Sequence, residues 1–175
     1  RELAGAEVEL VQLEDRDERL KNILKEQDKN YDFVIIDCPP SLSMLTINAL
    51  CSARGVIVPM QCEYFAMEGL TDVIGSVRRI QAAKNPDLTL IGLLRVMFDP
   101  RVTLQQQVSE QLKEYFGDKV FKTVIPRNVR LAEAPSYGLP GVLYDKSSKG
   151  AKAYQEFGAE FPKRMKKYKK QSKEK

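Results

Sequence analysis

Short, largely apolar runs alternate with amphipathic stretches along this chain, and that alternation restricts the fold more than any other feature. The runs fall at 33–36 (FVII), 56–59 (VIVP), 88–98 (LTLIGLLRVMF) and 120–125 (VFKTVI). Side chains alternate between the two faces of a strand, so a run apolar at successive positions fits a parallel strand covered on both faces. Between the runs, apolar residues recur every three or four positions, which is the helical period. Leu20, Ile23 and Leu24 mark a helix within 13–28. Leu42, Leu45, Ile47 and Leu50 mark another, with Ser41 as its expected cap. Leu70, Val73, Ile74, Val77 and Ile80 give a helix over 67–83, ended by Asn85-Pro86. Leu104, Val108, Leu112 and Phe116 give one over 102–116. Residues 128–137 read as a loop or short helix. Tyr154, Phe157, Phe161, Met165 and Tyr168 form the stripe of a final helix over 147–170. The expectation is an α/β protein, a mostly parallel sheet flanked by helices.

Composition narrows the chemistry. The chain has 175 residues, 43% of them hydrophobic, enough to bury the core of one domain. No stretch approaches the ~18 apolar residues a membrane span requires. There is no histidine, so imidazole cannot serve as a base. Cys38, Cys51 and Cys62 are odd in number and form no C-x-x-C pair, which argues against a disulfide framework or a zinc site. All three are expected to be buried thiols in a reducing compartment. Seven Lys and one Arg against Glu174 give residues 163–175 a net charge of +7, which leaves −3 on the rest. The expected division is a body over 1–162 and a Lys-rich tail over 163–175. Such a tail either touches nucleic acid or anionic lipid, or is a solvated end. Arg1-Glu2-Leu3-Ala4 begins without Met and without a signal-peptide pattern, so the chain reads as an excised piece of a cytoplasmic protein.

The run at 33–36 leads into Asp37-Cys38-Pro39-Pro40-Ser41. A carboxylate at the carboxyl end of a buried parallel strand sits where open α/β sheets bind ligands. Such an Asp offers Mg²⁺ a hard oxygen at a fixed position, directly or through water. The other reading is an Asp that caps a turn or helix.

The stretch 31–49 (YDFVIIDCPPSLSMLTINA) resembles the Walker B region of ParA/Soj partition ATPases. The likeness continues at 59–69 (PMQCEYFAMEG), 123–138 (TVIPRNVRLAEAPSYG) and 143–150 (LYDKSSKG), four motifs in the family's order. The resemblance implies the deviant Walker A class of P-loop NTPase folds, with ATP and Mg²⁺ as cofactors. By position, Asp37 is similar to the Walker B aspartate that positions Mg²⁺. Pro126, Arg127 and Asn128 look like part of an adenine pocket, flanked by Met97 and Asp99. Arg101 and Arg130 match arginines that resemble non-specific DNA contacts, and Lys146, Lys149 and Lys152 would extend that basic face. Guanidinium suits phosphate oxygens and reads no sequence. Pro126 as a strand end, Asn128 as a helix cap and the lysines as a solvated face are the plainer alternatives. The implied parent is a nucleoid-associated protein that dimerises on ATP, binds DNA without sequence preference and is released by a ParB/Spo0J-like partner, with no membrane.

The phosphate-cradling pattern G-x-x-x-x-G-K-[ST] is absent, since no Gly-Lys pair occurs. The chain alone is therefore expected not to hydrolyse ATP. A MinD-like regulator is the nearest rival, but it would need an amphipathic helix facing lipid. A truncated module that binds DNA or partner without catalysis is another. An iron-protein relative is disfavoured, because Cys38 and Cys51 match no cluster spacing.

Overall fold

The computed structural model describes residues 2–27, 30–39 and 41–171. The elements are helices α1 (Glu2–Val11), α2 (Arg19–Gln27) and α3 (Met44–Ser52), strand β1 (Gly55–Met60), helix α4 (Ala66–Ala83), strand β2 (Thr89–Phe98), helix α5 (Thr103–Phe116), strand β3 (Val120–Pro126), and helices α6 (Val129–Glu133), α7 (Gly141–Tyr144) and α8 (Lys149–Gln171). The strands are ordered β1-β2-β3, and β2 runs parallel to β3. This is the parallel, helix-flanked sheet that the alternating runs predict. The chain divides into two compact units, residues 1–56 with 71–90, and residues 57–70 with 91–175.

In the first unit, α3 is the hub. Its cap is Ser43, whose hydroxyl accepts from the Thr46 N–H at 3.4 Å, and not the expected Ser41. Asn48 is 3% exposed and fully engaged. It accepts from the Leu20 N–H at 3.3 Å and donates to the Arg16 carbonyl at 2.6 Å and the Met44 carbonyl at 3.1 Å. Burying an amide is tolerable only with its partners in place. Asn85 likewise donates to the carbonyls of Leu50 and Ala53, at 2.8 and 2.7 Å, and so closes the C-terminal end of α3. Helix α1 was not expected from the sequence pattern, and α2 spans the expected stripe of Leu20, Ile23 and Leu24.

The run at 33–36 departs most from expectation, because it is not a strand. Ile35 is 85% exposed and Val34 45%. A buried parallel strand needs neighbours to complete its ladder, and this segment takes no strand structure. Apolar composition alone cannot supply those partners.

In the second unit, Ile91, Leu94, Phe121, Ile125 and Ala153 form the core, with Ile57, Val96, Leu131, Phe157, Phe161, Met165 and Tyr168 packed against it. The expected stripe of α8 thus lies on the sheet, except Tyr154, which is 41% exposed. Phe121 and Phe157 meet edge to face with centroids 5.0 Å apart. The Glu160 carboxylate caps β3 by accepting from the N–H groups of Lys122 and Thr123, both at 2.9 Å. Arg164 donates to the carbonyls of Ile91, Lys119 and Val120. The basic segment from Lys163 continues α8 as far as Gln171.

Cys51 and Cys62 are buried, but Cys38 is exposed, contrary to expectation. It lies in the segment that is not a strand, so no sheet covers it.

Candidate functional site

Two loops leave the carboxyl ends of β2 and β3, and the Arg127 N–H ties them by donating to the Phe98 carbonyl at 3.2 Å. In parallel sheets, strand carboxyl ends face the same way, so their loops gather at one edge. The pairing of β2 with β3 shifts register between Arg95 and Phe98. Met97 sits in that irregularity with φ of 51° and is 41% exposed. A left-handed conformation at a non-glycine residue costs about 1–3 kcal/mol and persists only where surrounding structure imposes it. Met97, Asp99, Pro126, Arg127 and Asn128 are thereby drawn to one rim of the second unit.

Asn128 caps α6, its side-chain oxygen accepting from the Leu131 N–H at 3.3 Å, as the plainer reading of that residue holds. Gly150, at the start of α8, lies against this cap. A Cβ there would stand 2.6 Å from Leu131 Cδ1 and 3.1 Å from Asn128 Cβ. The loop after β3 is therefore fixed from both sides.

Asp99 accepts from Arg101 three times. The backbone N–H reaches Oδ1 at 3.0 Å, Nε reaches Oδ1 at 2.9 Å and Nη2 reaches Oδ2 at 2.7 Å. These bonds, the side-chain ones first, hold the Asp99 carboxyl down to about 2 against the partial burial that opposes them. Arg101 keeps 88% side-chain exposure. The pair occupies one edge of the guanidinium and leaves the opposite edge as a free donor fork.

Arg130 is held differently. Its Nη1 donates to Glu133 Oε2 at 2.9 Å, and its Nε lies 3.5 Å from Asp145 Oδ2. Tyr144 donates to the same Glu133 oxygen at 3.3 Å and stacks on Tyr137, with ring centroids 4.9 Å apart. Ser147 and Ser148 pin Asp145 by donating to its Oδ1. Lys146, Lys149 and Lys152 are exposed nearby in sequence. Sequence reasoning missed Glu133 and Asp145. The i, i+3 spacing of Arg130 and Glu133, and the Asp-x-Ser-Ser run at 145–148, were the available signals.

Asp37 belongs to the first unit, where it is exposed in a segment without regular structure. It is neither enclosed nor on a hairpin. Among the described residues no group of three carboxylates or thiols is placed to hold a metal ion. A Mg²⁺ ion fits such a chain, since it commonly takes one or two carboxylates and fills its remaining positions with water and phosphate oxygens. No residue of this chain fits the phosphate cradle, for want of the glycine-rich loop.

Comparison with known proteins places these features. The model of a family described as AAA domain matches residues 1–90. The sporulation initiation inhibitor protein Soj of Bacillus subtilis is 54% identical over 159 residues, covering 91% of this chain. The match spans 63% of that relative's length. Cobyrinic acid a,c-diamide synthase from Mycobacterium smegmatis, solved with an ATP analog and magnesium, superposes with a TM-score of 0.71 at 38% identity, covering 89% of this chain and 57% of its own. The cell division ATPase MinD of Pyrococcus furiosus aligns with a TM-score of 0.65 at 22% identity, covering 87% of this chain and 59% of its own, a likeness of fold alone. A parallel sheet flanked by helices, a family model over half the chain and 54% identity to Soj agree: the chain belongs to the AAA domain family and, within it, to the ParA/Soj partition ATPases.

Proposed function

We propose that this chain serves a chromosome- or plasmid-partition ATPase, carrying its adenine rim, one magnesium ligand and its DNA-binding face. The observation that carries the reading is the Arg127 N–H bond to the Phe98 carbonyl, which gathers five base-pocket candidates on one rim. Met97 and Pro126 would flank the purine with apolar surface. Asp99, Arg127 and Asn128 would supply polar contacts to its edge. Asp37 would hold Mg²⁺ directly or through water, and the metal would offset charge on the phosphates when bound. Arg101, Arg130, Lys146 and Lys149 would take DNA phosphates without reading sequence.

The dimer on ATP, release by a ParB/Spo0J-like partner and a cytoplasmic, nucleoid-associated location complete the proposal. So does the division into an ATPase portion over 1–162 and a basic tail. The apolar stripe of α8 packs on the core, which favours DNA over a lipid surface as the partner of this face. Among the described residues no helix is long and apolar enough to cross a membrane.

Binding of the chain to random-sequence duplex DNA and to anionic vesicles tests the reading. The expected result is DNA binding that weakens steeply with salt and is lost in Arg101→Ala. Co-sedimentation with vesicles but not with DNA would transfer the assignment to the membrane class. The chain alone is expected to release no phosphate from ATP, and turnover in a radiolabelled-phosphate assay would contradict the missing-cradle argument.

A further inference from the structure

The two arginines assigned to DNA are held unlike one another. Arg101 meets one carboxylate along one edge and keeps its other donors free. Arg130 meets two carboxylates, Glu133 through Nη1 and Asp145 at Nε, so this triad carries a net charge of −1. A DNA phosphate approaching Arg130 meets two like charges within a few ångströms of the cation, and such juxtaposition opposes binding.

We propose that Glu133 is a latch on Arg130, so that Arg101 is the standing phosphate contact and Arg130 a conditional one. The inference rests on the DNA-binding reading of these two arginines. Asp145 is the fixed member, because Ser147 and Ser148 hold its Oδ1 at 2.7–3.1 Å. Glu133 is the releasable one. Beyond Arg130 it accepts one 3.3 Å bond from the Tyr144 hydroxyl, and its side chain is 38% exposed. When Glu133 turns away, Nη1 is freed for a phosphate oxygen while Asp145 still orients the guanidinium through Nε. The Tyr144 hydroxyl holds Glu133 while its ring stacks on Tyr137, so movement of that aromatic pair is the local event that opens the latch.

Simple charge addition makes a rival forecast, and a double-mutant cycle separates the two. Anisotropy of a labelled random-sequence duplex is measured with the chain and with Glu133→Gln, Arg130→Ala and the double variant. Glu156→Gln on α8 is the control carboxylate. The latch predicts that Glu133→Gln tightens binding about two- to fivefold, the range in which an exposed ion pair acts. That gain vanishes in the Arg130→Ala background, and Glu156→Gln does not reproduce it. An equal gain in both backgrounds, or no gain at all, overturns the latch while the DNA reading stands. Parent-level binding by both Arg101→Ala and Arg130→Ala, or no binding by the parent chain, overturns the DNA reading and the latch with it.

Discussion

Arg101 grips Asp99 along one edge of its guanidinium, with Nε to Oδ1 at 2.9 Å and Nη2 to Oδ2 at 2.7 Å. The link joins a residue proposed for the adenine rim to one proposed for DNA. It predicts a titration behaviour. Asp99 is depressed to about 2, against about 3.9 for a free aspartate. A depressed carboxyl stabilises the fold above its unfolded value and loses that contribution as pH falls through the folded value. The contribution is therefore complete above pH ~4 and fades towards pH ~2. Carboxyl-carbon NMR should show Asp99 titrating near 2 in the parent and close to 4 in Arg101→Gln.

Glu160 covers the outer edge of β3. Substitution by Ala strips acceptors from the Lys122 and Thr123 N–H groups and from the Thr123 hydroxyl. The expected loss is about 1–3 kcal/mol by urea unfolding. Hydrogen exchange at the two amides should accelerate together, while Ile91 and Leu93 on β2 change less.

Gly92 lies under the side chains that lock α8 down. A Cβ there would stand 2.5 Å from the Lys119 carbonyl oxygen, 2.7 Å from Arg164 Nη1 and 2.8 Å from the Phe121 ring. Backbone cannot yield as a flexible side chain can. Gly92→Ala should cost about 1–3 kcal/mol through overpacking, read as a lower melting temperature.

Arg95 is 4% exposed, and burial pushes its ionisation down from the usual range. Its Nη groups donate to Ser109 Oγ and to the Phe121 and Lys122 carbonyls, while Nε has no hydrogen-bond partner. Arg95→Ala would leave the Phe121 carbonyl short of a donor and open a void, costing on the order of 3 kcal/mol. Chemical denaturation measures this. A stability equal to the parent's would show that the orphaned Nε offsets the other bonds.

Several features could be read without coordinates. The runs at 88–98 and 120–125 became β2 and β3 because their neighbours in the sheet lie within the chain. The stripe of Phe157, Phe161 and Met165 gave the face of α8, since 3.6-residue periodicity is local and packing only has to accept it. The order of four motifs gave the family.

What lay beyond reach depended on groups distant in sequence. The run at 33–36 has strand composition yet is exposed and not a strand, because a ladder needs partners that composition does not supply. The tie between Arg127 and Phe98 and the left-handed turn at Met97 arise only once β2 and β3 lie side by side. Sequence by itself determined β2, β3 and the packed face of α8, the family and the residue types at the rim, because helical and strand periods are written locally. Only the tertiary structure decided that Asp145 joins Glu133 on Arg130 and that Arg127 meets Phe98. Such contacts depend on distances of a few ångströms, and those are set by packing between elements separated in the chain.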